Sequence, residues 1–387
     1  MKIGLILSHK GINYGMLLQA YATQMYLESQ GVQTEIITFQ SSGGLKRKLK
    51  KLKRYTSFVA AKSAYMKAKR RWLINNNPIL KRCYQARSKV GIEFVQKNLH
   101  GIVRFAGNEI AANYVKENYS CVMIGSDQQW APACFYSELN TLMFVPEGVK
   151  RASYATSMGV SSIPKNTHSL LKTFISKMDY VSVREETGKT IITKVTGRQD
   201  VQVVPDPTFL ITYDEWCDYI PKKKLYDLPY VFCYFLGSDD SSVKKVLAWT
   251  KQVGITAIFV RNVESYKIKK VDYEDAIVVD APTVEEFVNY IRYASFVCTD
   301  SFHCTVFSLI NSVEFATFYR FQSKNKDSRN SRIDDLLKSL DCSQRICRQE
   351  DDLGDVVNKK IDYDKVTNRI ESMRMIGKDY LEEIIND

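Results

Sequence analysis

The residues best suited to chemistry in this 387-residue sequence lie around His303. The apolar run Phe296–Cys298 predicts a buried strand, and the pattern from Thr305 onward predicts a helix. His303 therefore falls between a strand end and a helix start, where α/β folds bind ligands because free backbone N–H groups point there. An imidazole at such a position can donate or accept a proton near neutral pH. The alternative is a capping loop with a structural histidine, and the local sequence leaves both interpretations open.

Other polar side chains follow other predicted strands. Ser126 and Asp127 come directly after the strand-like run Cys121–Ile124, and Ser157 lies in a small-residue loop after residues 150–154. The carboxyl ends of parallel strands meet at one edge of a sheet, so we expect these side chains to lie near one another. Asp127 is therefore a candidate ligand contact.

Asn13 and Gly15 lie in the loop between the first predicted strand and the first predicted helix. The G-x-G-x-x-G spacing of a dinucleotide site is missing there. The two residues are candidates for a ligand-binding loop. The alternative is a tight turn that needs Asn and Gly for their backbone freedom.

Strand-like runs alternate with helical patterns along the chain, which predicts parallel α/β sheets. A lysine- and proline-rich stretch after residue 220 separates two such series. We expect an N-terminal domain over 1–220 with a basic helical insertion at about 45–98, and a C-terminal domain over 221–345. A helical tail is expected over 346–387, with its return to the N-terminal domain as one option.

The basic insertion carries most of the net charge of +12. Between Lys46 and Lys97 there are 17 Lys/Arg and a single acid, Glu93, interleaved with apolar and aromatic residues. This pattern predicts a basic amphipathic helix on an anionic membrane surface, at the inner face of the cytoplasmic membrane. Nucleic-acid binding is the competing interpretation, which we disfavour, and a solvated helical face is the third.

Composition argues against several other classes of protein. The nine cysteines are scattered and none forms a C-x-x-C pair, which suits a reducing cytoplasm and argues against structural zinc. With only four histidines, a His-rich metal site is also not expected. No apolar run approaches the roughly 20 residues of a membrane span, and the N-terminal apolar run is too short for a signal peptide.

Seven polar motifs, in order from residue 13 to 337, together resemble those of the polysaccharide pyruvyl transferase family. No single motif is specific, and the signal lies in their joint order. They are Asn13-Tyr14-Gly15-x-x-Leu18-Gln19-Ala20, Gly125-Ser126-Asp127-Gln128-x-Trp130, Ser153-Tyr154-Ala155-x-Ser157-x-Gly159, Val183-Arg184-Glu185, Asp206-Pro207-Thr208, Thr299-Asp300-Ser301-Phe302-His303, and Ser331-Arg332-Ile333 ahead of Leu336-Leu337.

The resemblance implies two Rossmann-like domains that face each other across a cleft, as in GT-B glycosyltransferases. It also implies transfer of pyruvate from phosphoenolpyruvate to two hydroxyls of a sugar, which forms a cyclic ketal. The expected acceptor is a lipid-linked or nucleotide-linked polysaccharide precursor, and of these we favour a lipid-linked oligosaccharide. No cofactor or metal is implied, because phosphoenolpyruvate is itself a substrate.

The resemblance also assigns roles to individual residues. Arg184 matches the donor-binding arginine, and Arg332 is the candidate second clamp on phosphoenolpyruvate. His303 suits the general acid that protonates the methylene carbon, and Asp127 is the predicted base for the attacking hydroxyl. Ser301 and His303 are also expected to contact the donor. Residues expected to bind the acceptor or line the cleft are Asn13, Gly15, Gln19, Ser126 and Ser157.

The sequence departs from the family pattern at two positions. Some members carry Arg where this chain has Ser301, so a phosphate contact must come from another arginine: Arg332, Arg329 or Arg320. Many members carry Gly where Cys304 stands, and this cysteine is either a reactive thiol or a small buried residue. The alternative function is that of a GT-B-type glycosyltransferase using a nucleotide sugar.

Overall fold

We describe the protein from a computed structural model that covers residues 1–40, 58–237, 240–265, 273, 275–320 and 330–387, with the backbone alone over 58–64. The first part of the predicted basic insertion, residues 45–57, lies outside the described residues. So does the candidate phosphate contact Arg329.

The first sheet is parallel and has the spatial order β3-β2-β1-β4-β5. Its strands are β1 (Lys2–Ile6), β2 (Gln33–Phe39), β3 (Ile102–Phe105), β4 (Cys121–Ile124) and β5 (Lys150–Ser153). A short parallel pair, β6 (Ser182–Val183) and β7 (Gln202–Val203), follows beyond β5 through a bridge between Ala152 and Tyr180. Every residue of β4 is buried, as expected for a strand covered on both faces.

The second sheet is also parallel, in the order β10-β9-β8-β11-β12-β13. Its strands are β8 (Tyr230–Tyr234), β9 (Thr256–Val260), β10 (Ala276–Val279), β11 (Phe296–Thr299), β12 (Phe315–Phe318) and β13 (Ile346–Cys347). The central strands β8 and β11 are buried along their whole length. The α/β class with two parallel, Rossmann-like sheets is therefore confirmed.

Helices connect the strands in both halves of the chain. Those before β8 are α1 (Tyr14–Ser29), α2 (Phe58–Asn75), α3 (Pro78–Asn98), α4 (Asn108–Asn118), α5 (His168–Ile175), α6 (Glu186–Thr196) and α7 (Tyr213–Tyr219). Those after β8 are α8 (Ser241–Val253), α9 (Val284–Arg292), α10 (Phe302–Ile310), α11 (Ser331–Ser339), α12 (Leu353–Asn358) and α13 (Tyr363–Asn386). Within the described ranges, none of these helices is long and apolar enough to cross a membrane.

Two helices that matter for the site begin earlier than periodicity predicts. Helix α1 starts at Tyr14 because the Asn13 side chain caps it, accepting the N–H of Met16 at 3.1 Å. Helix α10 starts at Phe302, not Thr305, because Ser301 caps it. His303 therefore lies inside the first helical turn. Polar capping residues are invisible to an apolar period, which explains both differences.

The two sheets share one buried apolar cluster that includes residues from both halves of the chain. At the junction, the Tyr14 ring stacks on Phe287 with 4.4 Å between ring centroids. The Tyr14 hydroxyl also donates a hydrogen bond to the Pro282 carbonyl at 2.7 Å. The start of α1 is therefore fixed against the second sheet's helices.

The C-terminal helix α13 lies against the first sheet. The Tyr380 hydroxyl donates to the Ser153 carbonyl at 2.8 Å, and Arg374 Nε donates to the Phe209 carbonyl at 2.7 Å. Helix α3 of the basic insertion reaches the other way: the buried Arg87 donates to the Arg261 carbonyl at 2.8 Å. Both elements thus bridge the two halves of the chain.

Candidate active site

The centre of the candidate site is a buried pair, His303 and Asp206. His303 lies just past the end of β11, and its Nε2 is 3.4 Å from Asp206 Oδ2. Asp206 follows β7 and caps the short 3-10 turn Pro207–Phe209, accepting the Thr208 N–H at 3.1 Å. The pair therefore joins a strand end of one half of the chain to a helix start of the other.

Asp206 gathers several donors from the first half of the chain. Arg184 Nη1 donates at 2.6 Å and Ser126 Oγ at 2.8 Å to Oδ2, while the Thr208 hydroxyl donates to Oδ1 at 2.8 Å. Burial alone would raise the pKa of the Asp206 carboxyl, but His303, Arg184 and the Thr208 hydrogen bond hold it well below its usual value. Asp206 is therefore ionised. It accepts a hydrogen bond from Arg184, and it lies in ionic contact with His303, whose Nε2 has no hydrogen-bond partner within the described residues.

Arginines from three elements cluster beside this pair. The guanidinium of Arg184 lies 4.2 Å from the Phe302 ring centroid, and that of Arg332 lies 5.8 Å from it. Arg320 approaches from the end of β12, and its Nη2 donates to the Asp300 carbonyl at 2.9 Å. Arg184 and Arg332, both predicted donor contacts, are thus brought together on one aromatic ring.

In the arginine cluster of Arg184, Arg320 and Arg332, carboxylates use only part of the hydrogen-bonding capacity. Arg184 pairs with Asp206 at 2.6 Å, and Arg320 pairs with Asp300 at 3.5 Å. Burial and then the like charges of Arg184 and Arg320 lower the pKa of Arg332 to about 9. Within the described part of the chain, buried Nε atoms of all three and Nη2 of Arg184 have no hydrogen-bond acceptor. Buried N–H groups that lack an acceptor are costly, so an anion with several oxygens would stabilise this arrangement.

A cavity of about 200 Å³ borders Arg184, Asp206 and Phe302. Its opposite wall comes from α11 and α13, through residues such as Leu336 and Met373. The cavity therefore gives access to Arg184 and Asp206.

Asp127, the predicted base, lies near the same cluster. Its negative charge raises the pKa of Arg332, against the stronger effects of burial and of the neighbouring arginines. Its backbone has φ of 76°, a left-handed conformation that Asp tolerates better than most residues. The Asp127 carbonyl accepts the N–H groups of Gln129 and Ser157 at 2.8 and 2.9 Å, which holds this turn in place.

Ser157 is completely buried and contacts Glu185, the residue that follows Arg184. Its hydroxyl donates to Glu185 Oε1 at 2.8 Å, and the same oxygen accepts the N–H groups of Met158 and Gly159 at 3.1 and 3.3 Å. Glu185 therefore organises the loop that follows β5. In this structure Ser157 faces that carboxylate.

The predicted residues on α1 divide into two groups. Gly15 lies directly against the His303 ring, so closely that a Cβ there would overlap the imidazole. Asn13 Nδ2 lies 3.2 Å from both carboxylate oxygens of Glu264, on the loop after β9. Gln19, by contrast, is fully buried, and its Nε2 donates to the Ser8 carbonyl at 2.9 Å. Gln19 thus braces the loop after β1.

The two departures from the family pattern are both local to α10. The Ser301 hydroxyl accepts the Cys304 N–H at 3.5 Å, so it serves as the helix cap. Cys304 is fully buried, and burial raises its pKa to about 12. That environment describes a small core residue, and it does not favour a reactive thiolate.

The Asp206-Pro207-Thr208 motif by itself did not predict the role of Asp206 in the site. The available signal was its place at a strand end ahead of a proline turn, which is shared with many structural aspartates. Glu185 and Phe302 were missed for a similar reason, since each adjoins a residue that had already been singled out. Arg320, one of three arginines considered for the phosphate contact, lies at the cluster.

Comparison with known proteins agrees with this architecture. The sequence model described as polysaccharide pyruvyl transferase matches residues 13–320, which is most of the chain. No curated protein matches.

Solved structures of sugar-nucleotide enzymes share the fold at low sequence identity. UDP-N-acetylglucosamine 2-epimerase from Rickettsia bellii superposes with a TM-score of 0.56 at 11% identity, covering 100% of this chain and 96% of that one. UDP-GlcNAc 2-epimerase from Methanocaldococcus jannaschii gives 0.54 at 12% identity, with 100% of both chains covered. The glycosyltransferase SnogD from Streptomyces nogalater gives 0.50 at 9% identity, covering 100% and 99%. These likenesses confirm the GT-B-like fold.

Proposed function

The chain belongs to the polysaccharide pyruvyl transferase family, and on this premise we propose that it transfers pyruvate from phosphoenolpyruvate to two hydroxyls of one sugar residue. The product is a cyclic pyruvate ketal on a polysaccharide precursor, and inorganic phosphate is released. A lipid-linked oligosaccharide is the acceptor that we expect.

The observation that carries this proposal is the arginine cluster beside the His303–Asp206 pair. Phosphoenolpyruvate bears a carboxylate and a phosphate close together, and planar guanidinium groups bind both with paired hydrogen bonds. Buried N–H groups of Arg184, Arg320 and Arg332 lack acceptors within the described residues. A dianionic donor would supply acceptors and offset the mutual repulsion of these charges.

The reaction then proceeds by proton transfer and substitution at C2 of the donor. His303 gives a proton to the methylene carbon, which becomes a methyl group and leaves C2 electron-poor. One sugar hydroxyl attacks C2 and loses its proton to Asp127. The second hydroxyl attacks C2 as the bond from C2 to the phosphate oxygen breaks, and its proton passes to His303, which restores the acid. The proton on Asp127 leaves with the phosphate. Asp206 holds His303 in place, and the arginines stabilise the leaving phosphate.

The proposal includes peripheral attachment to the inner face of the cytoplasmic membrane through the basic insertion. On α2, Tyr65 and Trp72 are each 63% exposed and stand among Lys67, Arg70 and Arg71. Exposed aromatic rings among cations favour an anionic lipid surface. Such attachment would bring the cleft to a lipid-linked acceptor.

The direct test is to incubate the protein with phosphoenolpyruvate and galactose- or mannose-type acceptors, free and lipid-linked. We expect acceptor-dependent phosphate release and a product heavier by one pyruvate ketal, with the acceptor omitted as the control. The alternative is a GT-B-type glycosyltransferase, whose fold is similar. Turnover of a nucleotide sugar without any phosphoenolpyruvate-dependent release would favour it and overturn the proposal.

A further inference from the structure

A second cavity, of about 520 Å³, lies between helix α3 and the loop that follows β1. Its volume falls in the range of roughly 300–1,000 Å³ typical of small-molecule sites. The cavity has a polar end formed by His9, Lys10 and Arg104. Its opposite wall is apolar and includes Ile12, Ile92, Val95, Leu99 and Ile102.

The polar end carries two cations, Lys10 and Arg104, that have no counter-ion among the described residues. Lys10 and Arg104 are exposed at the rim, and neither forms an ion pair with any carboxylate among the described residues. Burial and the neighbouring charge of Arg104 lower the pKa of Lys10. His9 is only 3% exposed; its Nδ1 lies 2.9 Å from the Leu7 carbonyl, and its Nε2 has no hydrogen-bond partner in the described part of the chain. Burial and the charges of Lys10 and Arg104 lower the pKa of His9, so its Nε2 can accept a hydrogen bond from a hydroxyl. An anion would pair with the two cations.

The apolar wall comes largely from a single stripe along α3. Tyr84, Ser88, Ile92 and Val95 line the cavity at three- and four-residue intervals, so they lie on one face of the helix. Ile92 remains 55% exposed at the rim. Among the described residues that line the cavity, Tyr84 is the only phenylalanine, tyrosine or tryptophan. A mainly aliphatic wall suits a hydrocarbon chain better than a nucleobase, which stacks on aromatic rings.

One loop connects the cavity to the candidate active site. Gly91 of α3 lies so close to the Gly11 carbonyl that a Cβ at Gly91 would overlap it. The same loop continues through Asn13 to Gly15, which touches His303. Gly11, which lines the cavity, is therefore only four positions before Gly15, the residue in contact with the candidate proton donor His303.

We infer that this cavity binds the phosphate of an acceptor that carries an apolar chain, with the phosphate at Lys10 and Arg104 and the chain along Ile92 and Leu99. This inference rests on the proposed function, and it assigns the acceptor to the lipid-linked class. The sugar to be modified would then extend from the phosphate toward His303.

Titration calorimetry on the full-length protein tests the inference without any turnover. The probes are farnesyl diphosphate, inorganic pyrophosphate, UDP and a short-chain phosphatidylglycerol below its micelle concentration. We expect farnesyl diphosphate to bind one site, more tightly than the other three probes. Lys10→Gln and Arg104→Gln should each weaken it about tenfold, as expected for a lost charge-assisted hydrogen bond.

Matched variants separate the cavity from general surface effects. Ile92→Asp should weaken farnesyl diphosphate and leave pyrophosphate unchanged, whereas Ile110→Asp, at a similarly exposed position on α4, should change neither. Lys89→Gln, an exposed cation on α3 that does not line the cavity, should also have no effect. Arg332→Met should retain farnesyl diphosphate binding, because the arginine cluster is a different site.

The inference is overturned if pyrophosphate, UDP or phosphatidylglycerol binds as tightly as farnesyl diphosphate, or if Lys10→Gln and Lys89→Gln behave alike. Failure of the proposed function would look different. In that case phosphoenolpyruvate would give no acceptor-dependent phosphate release, while farnesyl diphosphate binding would still depend on Lys10 and Ile92.

Discussion

Gly15 at the start of α1 lies in direct contact with the imidazole of His303 at the start of α10. The two residues come from opposite halves of the chain, and a side chain at residue 15 would occupy the space of the ring. The position of the candidate proton donor is thus defined on one side by Asp206 and on the other by the absence of a side chain.

Gly15→Ala should therefore displace the His303 ring. A shift of about 1 Å at a reacting group can lower turnover by about a hundredfold, so we expect a loss of that order in kcat for phosphate release. Gly107→Ala is the matched control, since a Cβ there meets nothing within 4 Å and its φ is extended. Equal activity of the two variants would mean that the contact does not matter for catalysis.

His303→Gln should remove proton transfer but keep a polar group in the space. We expect turnover to fall by about 10²–10⁴-fold, the usual contribution of a general acid, with donor binding retained. The partly exposed His168 at the start of α5 provides the control substitution His168→Gln. If the His303 variant keeps normal turnover, another group supplies the proton.

Asp206→Asn should destabilise the fold, because Arg184 would lose its buried counter-charge. The expected loss in the free energy of unfolding is about 3–5 kcal/mol at pH 7, measured by urea denaturation. Asp200→Asn, which breaks an ion pair with a 67% exposed carboxylate, should cost less than about 1 kcal/mol.

The difference in the free energy of unfolding between the natural protein and Asp206→Asn should depend on pH. The pKa of Asp206 is lower in the folded protein than in the unfolded chain, so its ionised form contributes stability above the unfolded value of about 4. That contribution is lost as the pH falls through the lower, folded value. The gap between the natural protein and Asp206→Asn should therefore be full at pH 7 and narrow only in strong acid. A constant gap at all pH values would contradict the ion-pair interpretation.

Arg332→Met should make the unliganded protein more stable and should weaken the binding of phosphoenolpyruvate. The pKa of Arg332, lowered to about 9 by burial and neighbouring arginines, means that its charge destabilises the fold at pH values below 9. Replacing a buried charge by an apolar side chain of similar size can stabilise by about 1–4 kcal/mol. Thermal melts should show a higher Tm without phosphoenolpyruvate and no further rise when it is added.

Arg82→Met is the control for this substitution, because Arg82 is 77% exposed and forms only a loose ion pair with Asp280. It should leave both the Tm and the ligand-induced rise unchanged. If phosphoenolpyruvate raises the Tm of Arg332→Met as much as that of the natural protein, Arg332 does not bind the donor.

Membrane attachment through α2 should depend on its exposed rings. The double variant Tyr65→Ser, Trp72→Ser should sediment less with anionic vesicles, while Leu228→Ser, at a 62% exposed position after α7, should sediment normally. Binding by the natural protein should weaken as salt is added, because the attraction between surface charges is screened. Equal, salt-insensitive binding to neutral and anionic vesicles would contradict the proposal.

Much of the fold follows from short-range patterns in the sequence. Apolar runs predicted β4 with the bounds that the structure has, and α13 lies within the expected helical tail. Those patterns are local, since they reflect which faces of a strand or helix are buried. The helix starts at Tyr14 and Phe302 were misplaced because capping depends on single polar side chains.

The sequence by itself determined that polar residues would follow successive strands, and that Arg184, Asp127 and His303 belonged to one family pattern. Only the tertiary structure decided that Asp206 lies beside His303 and that Gly15 must lack a side chain. It also decided that Arg320 and Arg332 lie near Arg184. The physical reason is that each of these contacts joins residues far apart in the chain. Their distances depend on how the two sheets pack, and no local pattern encodes that packing.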